Sequence, residues 1–265
     1  TRMKKFLLSI VAIASAAICT NAEETILVDK TGSEVKNTWE GTEGFTISAE
    51  TCATMKTGDM ITVVAAHDAT NEDQGYPQFQ LKANVEGWPE FGSYCVGKDA
   101  FSNDYVAYQF YLTDVAVANI KEAGFVITGD GVLIQKLTWT PDESGIDFTG
   151  AIWIGNKTPQ WGDPISLPAS SFATATAGQI FEIAVVAETS TWLANFNCGG
   201  WNTDQQVSNH EEAAVSKYQY IEKDGKCVGA KFTLTEGMVE KLKSAGIVIQ
   251  GEGTWGAKAV YVRDA

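Results

Sequence analysis

Apolar and polar residues alternate along most of this chain in segments of four to eight positions. In YVAYQFYLT (105–113), every second side chain from Val106 to Leu112 is apolar, whereas Gln109 lies on the opposite, more polar face. This period places one side of a strand against a core and the other towards solvent. Gly, Asn, Asp and Ser separate the segments, which is typical of turns between short strands.

A short helix interrupts the strands twice. Thr113 and Thr235 precede the segments DVAVANIKEA and EGMVEKLKSA as N-caps, and Gly124 and Gly246 end them. Many short strands with one such helix predict an all-β sandwich, and jelly-roll topology is the choice within that class.

The chain repeats itself. Residues 105–142 align without a gap with residues 227–264, at an offset of 122 and with 14 identities in 38 positions. A period of this length fits a whole small domain. The repeat therefore predicts two tandem β-sandwich (jelly-roll) domains at 23–142 and 143–265, joined by a short exposed PDESG segment.

The first 22 residues have the pattern of a secretory signal peptide. Lys4 and Lys5 precede an apolar run that ends near Ile18, and small residues lead to Ala22. We expect cleavage near Ala22, no membrane span, and a secreted or outer-membrane surface location. Lipidation at Cys19 is the alternative, although Ile18 stands where such sites usually carry a small residue.

The charge of the chain limits its partners. Without Arg2, Lys4 and Lys5, the chain has 16 basic and 33 acidic residues, a net charge of −17, and its one remaining arginine is Arg263. Such a surface repels nucleic acid and anionic lipid, and it lacks the arginines that recognise uronate or sulfate groups. A neutral partner is favoured.

Metal and cofactor chemistry receives little support from the sequence. The four remaining cysteines show no zinc-ligand spacing, and both disulfides and free thiols stay open for Cys52, Cys95, Cys198 and Cys227. No cofactor is predicted. The loop DATNEDQ (68–74) admits a structural calcium ion, but its spacing is not that of an EF-hand, which favours a solvated turn.

Eight tryptophans suggest a binding role. Trp88 and Trp201 lie in glycine-flanked loops, and Trp39 and Trp161 precede corresponding strands. Exposed indole rings offer stacking surfaces for the C–H faces of sugar rings. Trp192 alternates with the apolar line of its strand, which favours the core, yet it stays among the candidate ligand contacts.

Polar strand faces supply a second set of candidates. In YPQFQLK (76–82), Tyr76, Gln78 and Gln80 point away from the apolar side, as do Gln109 and Lys231 in their own strands. Amides, tyrosines and a lysine suit sugar hydroxyls, which both donate and accept hydrogen bonds.

Catalysis is not predicted. No nucleophile elbow, metal-binding histidine pair or catalytic cysteine context occurs. A glycoside hydrolase with two carboxylates stays the enzymatic alternative, with Glu86, Glu90 and Asp204 as its candidates.

Several motifs stand in order along the chain: Trp39 in W-E-G, QFQL (78–81), ISLPASSFA (165–173), the loop tryptophan and GIVIQGEG (246–253). With them the chain resembles tandem β-sandwich carbohydrate-binding modules and surface glycan-binding proteins of Bacteroidetes polysaccharide-utilisation systems. The resemblance implies non-catalytic binding of neutral plant polysaccharide (β-glucan, cellulose, xyloglucan or mannan), with two modules giving avidity. It also implies association with glycan-degrading enzymes or outer-membrane glycan-uptake proteins.

The resemblance carries ligand contact to specific positions, and it matches Gln78 and Gln80 with two asparagines of the second copy. The positions are Trp39, Gln78, Gln80, Trp88 and Gln109 in the first copy, and Trp161, Asn195, Asn197, Trp201 and Lys231 in the second. A structural or adhesive sandwich that binds protein is the non-glycan alternative.

Overall fold

The computed structural model describes residues 22–71, 73–187, 192–201 and 203–265. Two compact units divide the chain, Glu23–Pro141 and Asp142–Ala265, which we call module 1 and module 2. Apart from Ala22, the predicted signal peptide lies outside the described residues, and so does Cys19. Among the residues described, no helix combines the length and the apolar character that crossing a membrane requires.

Module 1 consists of short strands and two helices, with a 3-10 turn at Lys98–Ala100. In chain order the elements are β1 (Thr25–Asp29), β2 (Val35–Lys36), β3 (Thr46–Ile47), α1 (Ala49–Cys52), β4 (Met60–His67), β5 (Gln78–Ala83), β6 (Glu90–Cys95), β7 (Val106–Tyr111), α2 (Asp114–Ala123), β8 (Phe125–Asp130) and β9 (Val132–Thr140).

Module 2 has a similar order of elements, with the single strand β10 in the place of β1 and β2, an additional strand, β15, and a 3-10 turn at Ala169–Phe172 in the place of α1. Its elements are β10 (Trp153–Lys157), β11 (Ile165–Leu167), β12 (Ile180–Ala187), β13 (Leu193–Cys198), β14 (Gln206–Ser208), β15 (Gln219–Lys223), β16 (Lys226–Thr233), α3 (Glu236–Ala245), β17 (Ile247–Glu252) and β18 (Trp255–Arg263).

Each module pairs its strands into two antiparallel sheets. In module 1 the orders are β1-β9-β4-β7, with β2 also on β9, and β3-β8-β5-β6. In module 2 they are β10-β18-β12-β16-β15 and β11-β17-β13-β14. Each pair of sheets has the strand order of a jelly roll. The prediction of an all-β jelly-roll sandwich is confirmed.

Each module encloses its own apolar core. Phe79, Leu81 and Ile127 are fully buried in the core of module 1, and their counterparts by strand register in module 2 are Ala194, Phe196 and Ile249. Along β5, buried Phe79 and Leu81 alternate with less buried polar residues. The outer face of the sheet β3-β8-β5-β6 is therefore free for polar side chains.

The helix caps form as the sequence predicts. The hydroxyl of Thr113 accepts a hydrogen bond from the Ala116 amide at 3.2 Å, and Thr235 accepts one from Met238 at 3.3 Å. Gly124 and Gly246 end the helices with φ of +76° in both modules. A Cβ atom at Gly246 would lie 2.0 Å from the carbonyl oxygen of Leu167, which leaves no room for a side chain.

We expect Gly246→Ala to lower the free energy of unfolding by more than about 2 kcal/mol, because it adds a backbone clash to a left-handed conformation. Gly225→Ala is the matched control, since Gly225 has a φ of +74° and a Cβ atom added there would meet nothing within 4 Å. This control variant carries only the cost of placing alanine in the left-handed backbone conformation, about 1 kcal/mol. Equal losses for the two variants, measured by chemical unfolding of the full chain, would contradict the clash.

All four described cysteines are free thiols. Burial raises the pKa of Cys52 to about 11 and that of Cys198 to about 12, so both stay protonated at neutral pH. Cys227 is also buried, whereas Cys95 is exposed on β6.

The predicted exposed joint between the modules is partly wrong. The Asp142 side chain is 9% exposed, and its carboxylate lies 2.8 Å from the Lys258 ammonium of β18. The chain is therefore anchored to module 2 from Asp142 onward, and only Glu143 and Gly145 of this segment are exposed.

Candidate functional site

Module 1 presents a row of polar side chains on the outer side of the sheet β3-β8-β5-β6. Gln78, Gln80 and Lys82 alternate with buried residues along β5. Gln80 pairs in register with Thr128 on β8 and with Ser93 on β6. We call these five residues the first polar face. Three adjacent strands therefore contribute amide, hydroxyl and ammonium groups to one surface.

Module 2 presents the corresponding second polar face, which consists of Asn195, Asn197, Gln206, Ser208 and Gln250 on β13, β14 and β17. Three of its amides form a connected row. Gln206 Nε2 donates to Asn197 Oδ1 at 2.8 Å, and Asn197 Nδ2 donates to Gln250 Oε1 at 2.9 Å. Such a connected row holds its members in fixed orientations.

The register of the two sheets corrects the sequence match between the copies. Gln80 pairs with Thr128 and Asn195 pairs with Gln250, and Thr128 and Gln250 are 122 positions apart in the repeat. Asn195 is thus the counterpart of Gln80, whereas the sequence match paired it with Gln78. By the same register, Asn197 is the counterpart of Lys82.

Exposed aromatic rings surround these faces. Among the described residues, five large aromatic side chains are strongly exposed, and all five are predicted ligand contacts. They are Trp39 (49%), Tyr76 (66%), Trp88 (55%), Trp161 (39%) and Trp201 (57%). Rings of this size are normally buried. Their exposure in loops next to the polar faces is consistent with the predicted stacking surfaces.

Trp39 and Trp161 occupy the same position in similar turns. Each is the second residue of a four-residue turn, Thr38–Gly41 in module 1 and 160–163 in module 2, closed by backbone hydrogen bonds of 3.1–3.2 Å. The Thr38 carbonyl accepts from the Gly129 amide of β8 at 3.1 Å. The Trp161 carbonyl accepts from Gln250 Nε2 at 3.0 Å, which extends the amide row of the second polar face.

Trp88 and Trp201 lie at the opposite end of the faces. Both belong to the hairpin loop after the central strand, β5 or β13, and these loops bond to the backbone just before β8 and β17. The Asn84 amide donates to Gly124 at 3.0 Å, and the Gly199 amide donates to Gly246 at 2.8 Å. Residues 125 and 129 of β8 lie about 13 Å apart along the strand. Each face is therefore bounded by one tryptophan loop at either end.

Trp192 is not a ligand contact, and the sequence-based assignment is corrected. Its side chain is 2% exposed, and its ring stacks on Trp255 at a centroid distance of 4.3 Å. Asn197 and Asn195 are also buried, at 2% and 5%. Asn197 holds its neighbours in the amide row rather than offering a free group, so its predicted direct contact is corrected to a supporting role.

Gln109 and Lys231 do not join the other candidates. Gln109 is on β7 and Lys231 is on β16, which belong to the second sheet of each sandwich. Lys231 pairs in register with Glu182 and Gln219 there. Because the outer faces of a sandwich point in opposite directions, neither residue reaches the polar face of its module. Their predicted ligand contact therefore lies outside the polar faces and stays untested.

Sequence reasoning missed several members of the faces, above all Gln206, Gln250 and Ser93. One signal was available for Gln250. In the repeat, VITG of the first copy becomes VIQG in the second, so an amide replaces the Thr128 hydroxyl between unchanged neighbours. Gln206 and Ser93 lie in short edge strands with too little alternation to be recognised.

The first residue of the acidic loop 68–74, Asp68, is held by an ion pair and by hydrogen bonds. The Asp68 carboxylate lies 3.0 Å from the Lys36 ammonium and accepts a hydrogen bond from the Thr70 amide at 3.0 Å. Partial burial raises the pKa of Asp68, but the bonds from Thr70 and Lys36 outweigh it and hold the pKa below its usual range. Among the described residues, no group of three or more His, Cys, Asp or Glu side chains is arranged as a metal site. Structural calcium stays an untested prediction.

Trp88 has a strained backbone. Its φ of +47° lies in the left-handed region, which is costly for a residue with a Cβ atom. We expect Trp88→Gly to be more stable than Trp88→Ala by about 1 kcal/mol in chemical unfolding, although both variants lack the indole ring.

Trp201 is the control for this comparison, because its φ is not positive. At this position the glycine variant should show no such advantage over alanine. If glycine is more stable than alanine by the same amount at both positions, backbone strain at Trp88 is not the cause.

Comparisons with known proteins give limited information. No protein-family model matches the chain, and no curated protein matches it at a significant level. Among solved structures, SGBP-B of the mixed-linkage glucan utilization locus of Bacteroides ovatus, solved with a mixed-linkage heptasaccharide, is 20% identical. The match covers 44% of this chain and 30% of that one, with a TM-score of 0.34.

A protein from Parabacteroides distasonis is 12% identical, with 92% of this chain and 74% of that one covered and a TM-score of 0.21. Both TM-scores lie below 0.5, so neither likeness carries an argument. This chain also spans less than a third of the Bacteroides ovatus protein.

Proposed function

We propose that each module binds a neutral β-linked plant polysaccharide, such as β-glucan, cellulose, xyloglucan or mannan, across its polar face without cleaving it. The observation that carries the proposal is the repeated arrangement of two exposed tryptophans at the ends of a row of polar side chains. Indole rings stack on the C–H faces of sugars, while amides and hydroxyls exchange hydrogen bonds with sugar hydroxyls.

Two buried amide oxygens support this proposal. Gln80 Oε1 and Asn195 Oδ1 are buried without a hydrogen-bond partner among the described residues, and they occupy the same register position in the two modules. An unpartnered buried acceptor is costly in a folded protein. In each module a water could donate a hydrogen bond to this oxygen in the free protein, and a sugar hydroxyl that displaces the water would take over that bond.

The charge of the protein supports a neutral ligand. The net charge of −14 for the whole chain disfavours polyanions over most of the surface. Lys82 is the cation of the first polar face, and Glu90 pairs with it in register on β6. In the second polar face the register counterpart of Lys82 is the neutral Asn197.

The placement of the carboxylates supports binding without cleavage. Hydrolysis of a glycosidic bond needs two carboxyl groups on opposite sides of that bond. Asp204 belongs to module 2, and its carboxylate lies 3.3 Å from the Lys241 ammonium. Glu90 of module 1 pairs in register with Lys82, so two of the three candidates have a lysine as a neighbour.

A secreted or outer-membrane surface location follows from the predicted signal peptide and remains part of the proposal. There the protein would hold polysaccharide for associated glycan-degrading enzymes or outer-membrane glycan-uptake proteins. Mixed-linkage β-glucan is a neutral, soluble member of the proposed ligand class, so it is a suitable first probe.

Electrophoresis of the full chain through native gels that contain mixed-linkage glucan, xyloglucan, glucomannan or hydroxyethyl cellulose tests the proposal. We expect retardation in at least one gel relative to a polysaccharide-free gel, and no release of reducing ends from the same polymers. Unchanged mobility in every gel would contradict glycan binding, and reducing-end release would contradict the non-catalytic assignment.

A further inference from the structure

An acidic residue stands at the same place of the repeat in each module. Asp130 is the last residue of β8 and Glu252 is the last residue of β17, 122 positions apart. Each lies two residues beyond a member of its polar face, Thr128 or Gln250, and therefore on the same side of the strand. Their hydrogen bonds, however, lead to different loops.

In module 2 the acidic residue binds the tryptophan turn. The Trp161 indole N–H donates to Glu252 Oε2 at 3.4 Å, while Gln250 Nε2 binds the carbonyl of the same residue at 3.0 Å. The His210 ring packs edge-on against the indole at a centroid distance of 5.6 Å. Trp161 is thus held by two contacts to its ring and one to its backbone, although it is 39% exposed.

In module 1 the acidic residue binds a different loop. Asp130 accepts hydrogen bonds from Asn71 Nδ2 at 3.0 Å and from Gln74 Nε2 at 2.9 Å. Gln74 Oε1 in turn accepts the backbone N–H of Tyr76 at 3.2 Å. The carboxylate is therefore connected through one amide to an aromatic residue that is 66% exposed.

The glycine after Asp130 makes this connection possible. Gly131 has a φ of +72°, and a Cβ atom there would lie 2.6 Å from Cγ of Gln74. Tyr76 then continues the outward line of β5, because buried Pro77 separates it from Gln78. The backbone that Asp130 holds through Gln74 accordingly carries the Tyr76 ring at the same end of the first polar face as the Trp39 turn, which corresponds to the end where Trp161 stands on the second face.

We propose that Asp130 and Glu252 are positioning residues that fix one aromatic ring at the same end of each face, Tyr76 in module 1 and Trp161 in module 2. At this end the first face then presents the Tyr76 ring with its hydroxyl in addition to the Trp39 indole, whereas the second face presents the Trp161 indole held by Glu252. A ring held in place before binding loses less conformational freedom on binding. This proposal rests on the proposed function and identifies what distinguishes the two sites.

The first test needs no ligand. In the full chain we expect Glu252→Ala to increase acrylamide quenching of tryptophan fluorescence, and we expect no further increase when Trp161→Phe is already present. Glu252→Gln should behave as the wild type, because its amide oxygen still accepts the indole N–H. Glu240→Ala, which removes the same charge from an exposed position of α3, is the matched control.

The second test uses a short mixed-linkage β-glucan oligosaccharide in isothermal titration. We expect Glu252→Ala to weaken the site of module 2 about fivefold, with an unchanged unfolding midpoint. In a background of Trp161→Ala and Trp201→Ala, Asp130→Ala should weaken the site of module 1 by a similar factor. Gln74→Ala is the milder second variant, and neither variant should weaken binding further once Tyr76 is alanine.

The outcomes separate this proposal from the proposed function. Wild-type quenching and wild-type affinity in Glu252→Ala would overturn the positioning role in module 2, and additive effects of Asp130→Ala and Tyr76→Ala would overturn it in module 1. If Glu252→Ala changes the quenching but the wild type binds none of the glycans, positioning of Trp161 is supported and glycan binding is contradicted.

Discussion

A chain in which Trp39, Trp88, Trp161 and Trp201 are all alanine is expected to migrate through polysaccharide gels without retardation. Each tryptophan is 39–57% exposed at one end of a polar face, so its replacement removes stacking area and leaves the core intact. A central aromatic contact contributes about 2 kcal/mol to binding, or about thirtyfold in affinity. Two such replacements in each module would reduce weak binding below detection in an affinity gel.

The matched control replaces an exposed apolar side chain away from the polar faces. Ile26 is 54% exposed on β1, which belongs to the other sheet of module 1. The Ile26→Ala variant should be retarded like the wild type. If the quadruple tryptophan variant keeps the wild-type unfolding midpoint and is retarded as strongly as the wild type, these rings do not contact the ligand.

Inactivating one module should weaken binding to a long polysaccharide much more than binding to a short oligosaccharide. One long chain can occupy both sites, so the second contact forms at high effective concentration. A short oligosaccharide fills each site independently. We expect Trp161→Ala with Trp201→Ala to reduce affinity for the polymer by at least about tenfold, while the remaining oligosaccharide site keeps its affinity.

Isothermal titration of the full chain with both ligands measures this difference, and the oligosaccharide stoichiometry should change from two to one. The corresponding variant of module 1, Trp39→Ala with Trp88→Ala, is the companion measurement. Equal reductions in affinity for polymer and oligosaccharide would show that the modules act independently. A wild-type stoichiometry of one would show that a single face binds.

The alternation pattern identified which strand residues face outward but not which residues correspond between the copies. A shift of two residues along a strand keeps every side chain on its own face, so the matches of Asn195 to Gln78 and to Gln80 satisfy the pattern equally well. Pairing with β8 and β17 decides between them, because Gln80 and Asn195 face Thr128 and Gln250. Strand pairing joins positions far apart in the chain.

The same limitation explains why the sequence could not separate Gln109 and Lys231 from the residues of the polar faces. Their strands show outward polar faces as clearly as β5 does, but a sandwich has two outer faces, and alternation within one strand does not indicate the sheet to which the strand belongs. Trp192 is a different case. Its alternation with the apolar line of its strand favoured the core, and the rings of Trp255 and Tyr218 enclose it there, so its candidate ligand contact is corrected.

The sequence by itself determined the all-β class and the repeated helix caps, and it named the five exposed aromatic rings together with the buried Trp192. These features depend on local periodicity, on single residues such as Thr113 and Gly246, and on rings placed in polar, glycine-rich loops. Tertiary structure decided which rings and polar groups share a surface, and which carboxylate supports which ring. Asp130 and Glu252 occupy equivalent positions of the repeat, but their partners come from different loops, and only the folded chain brings those loops to the end of the sheet.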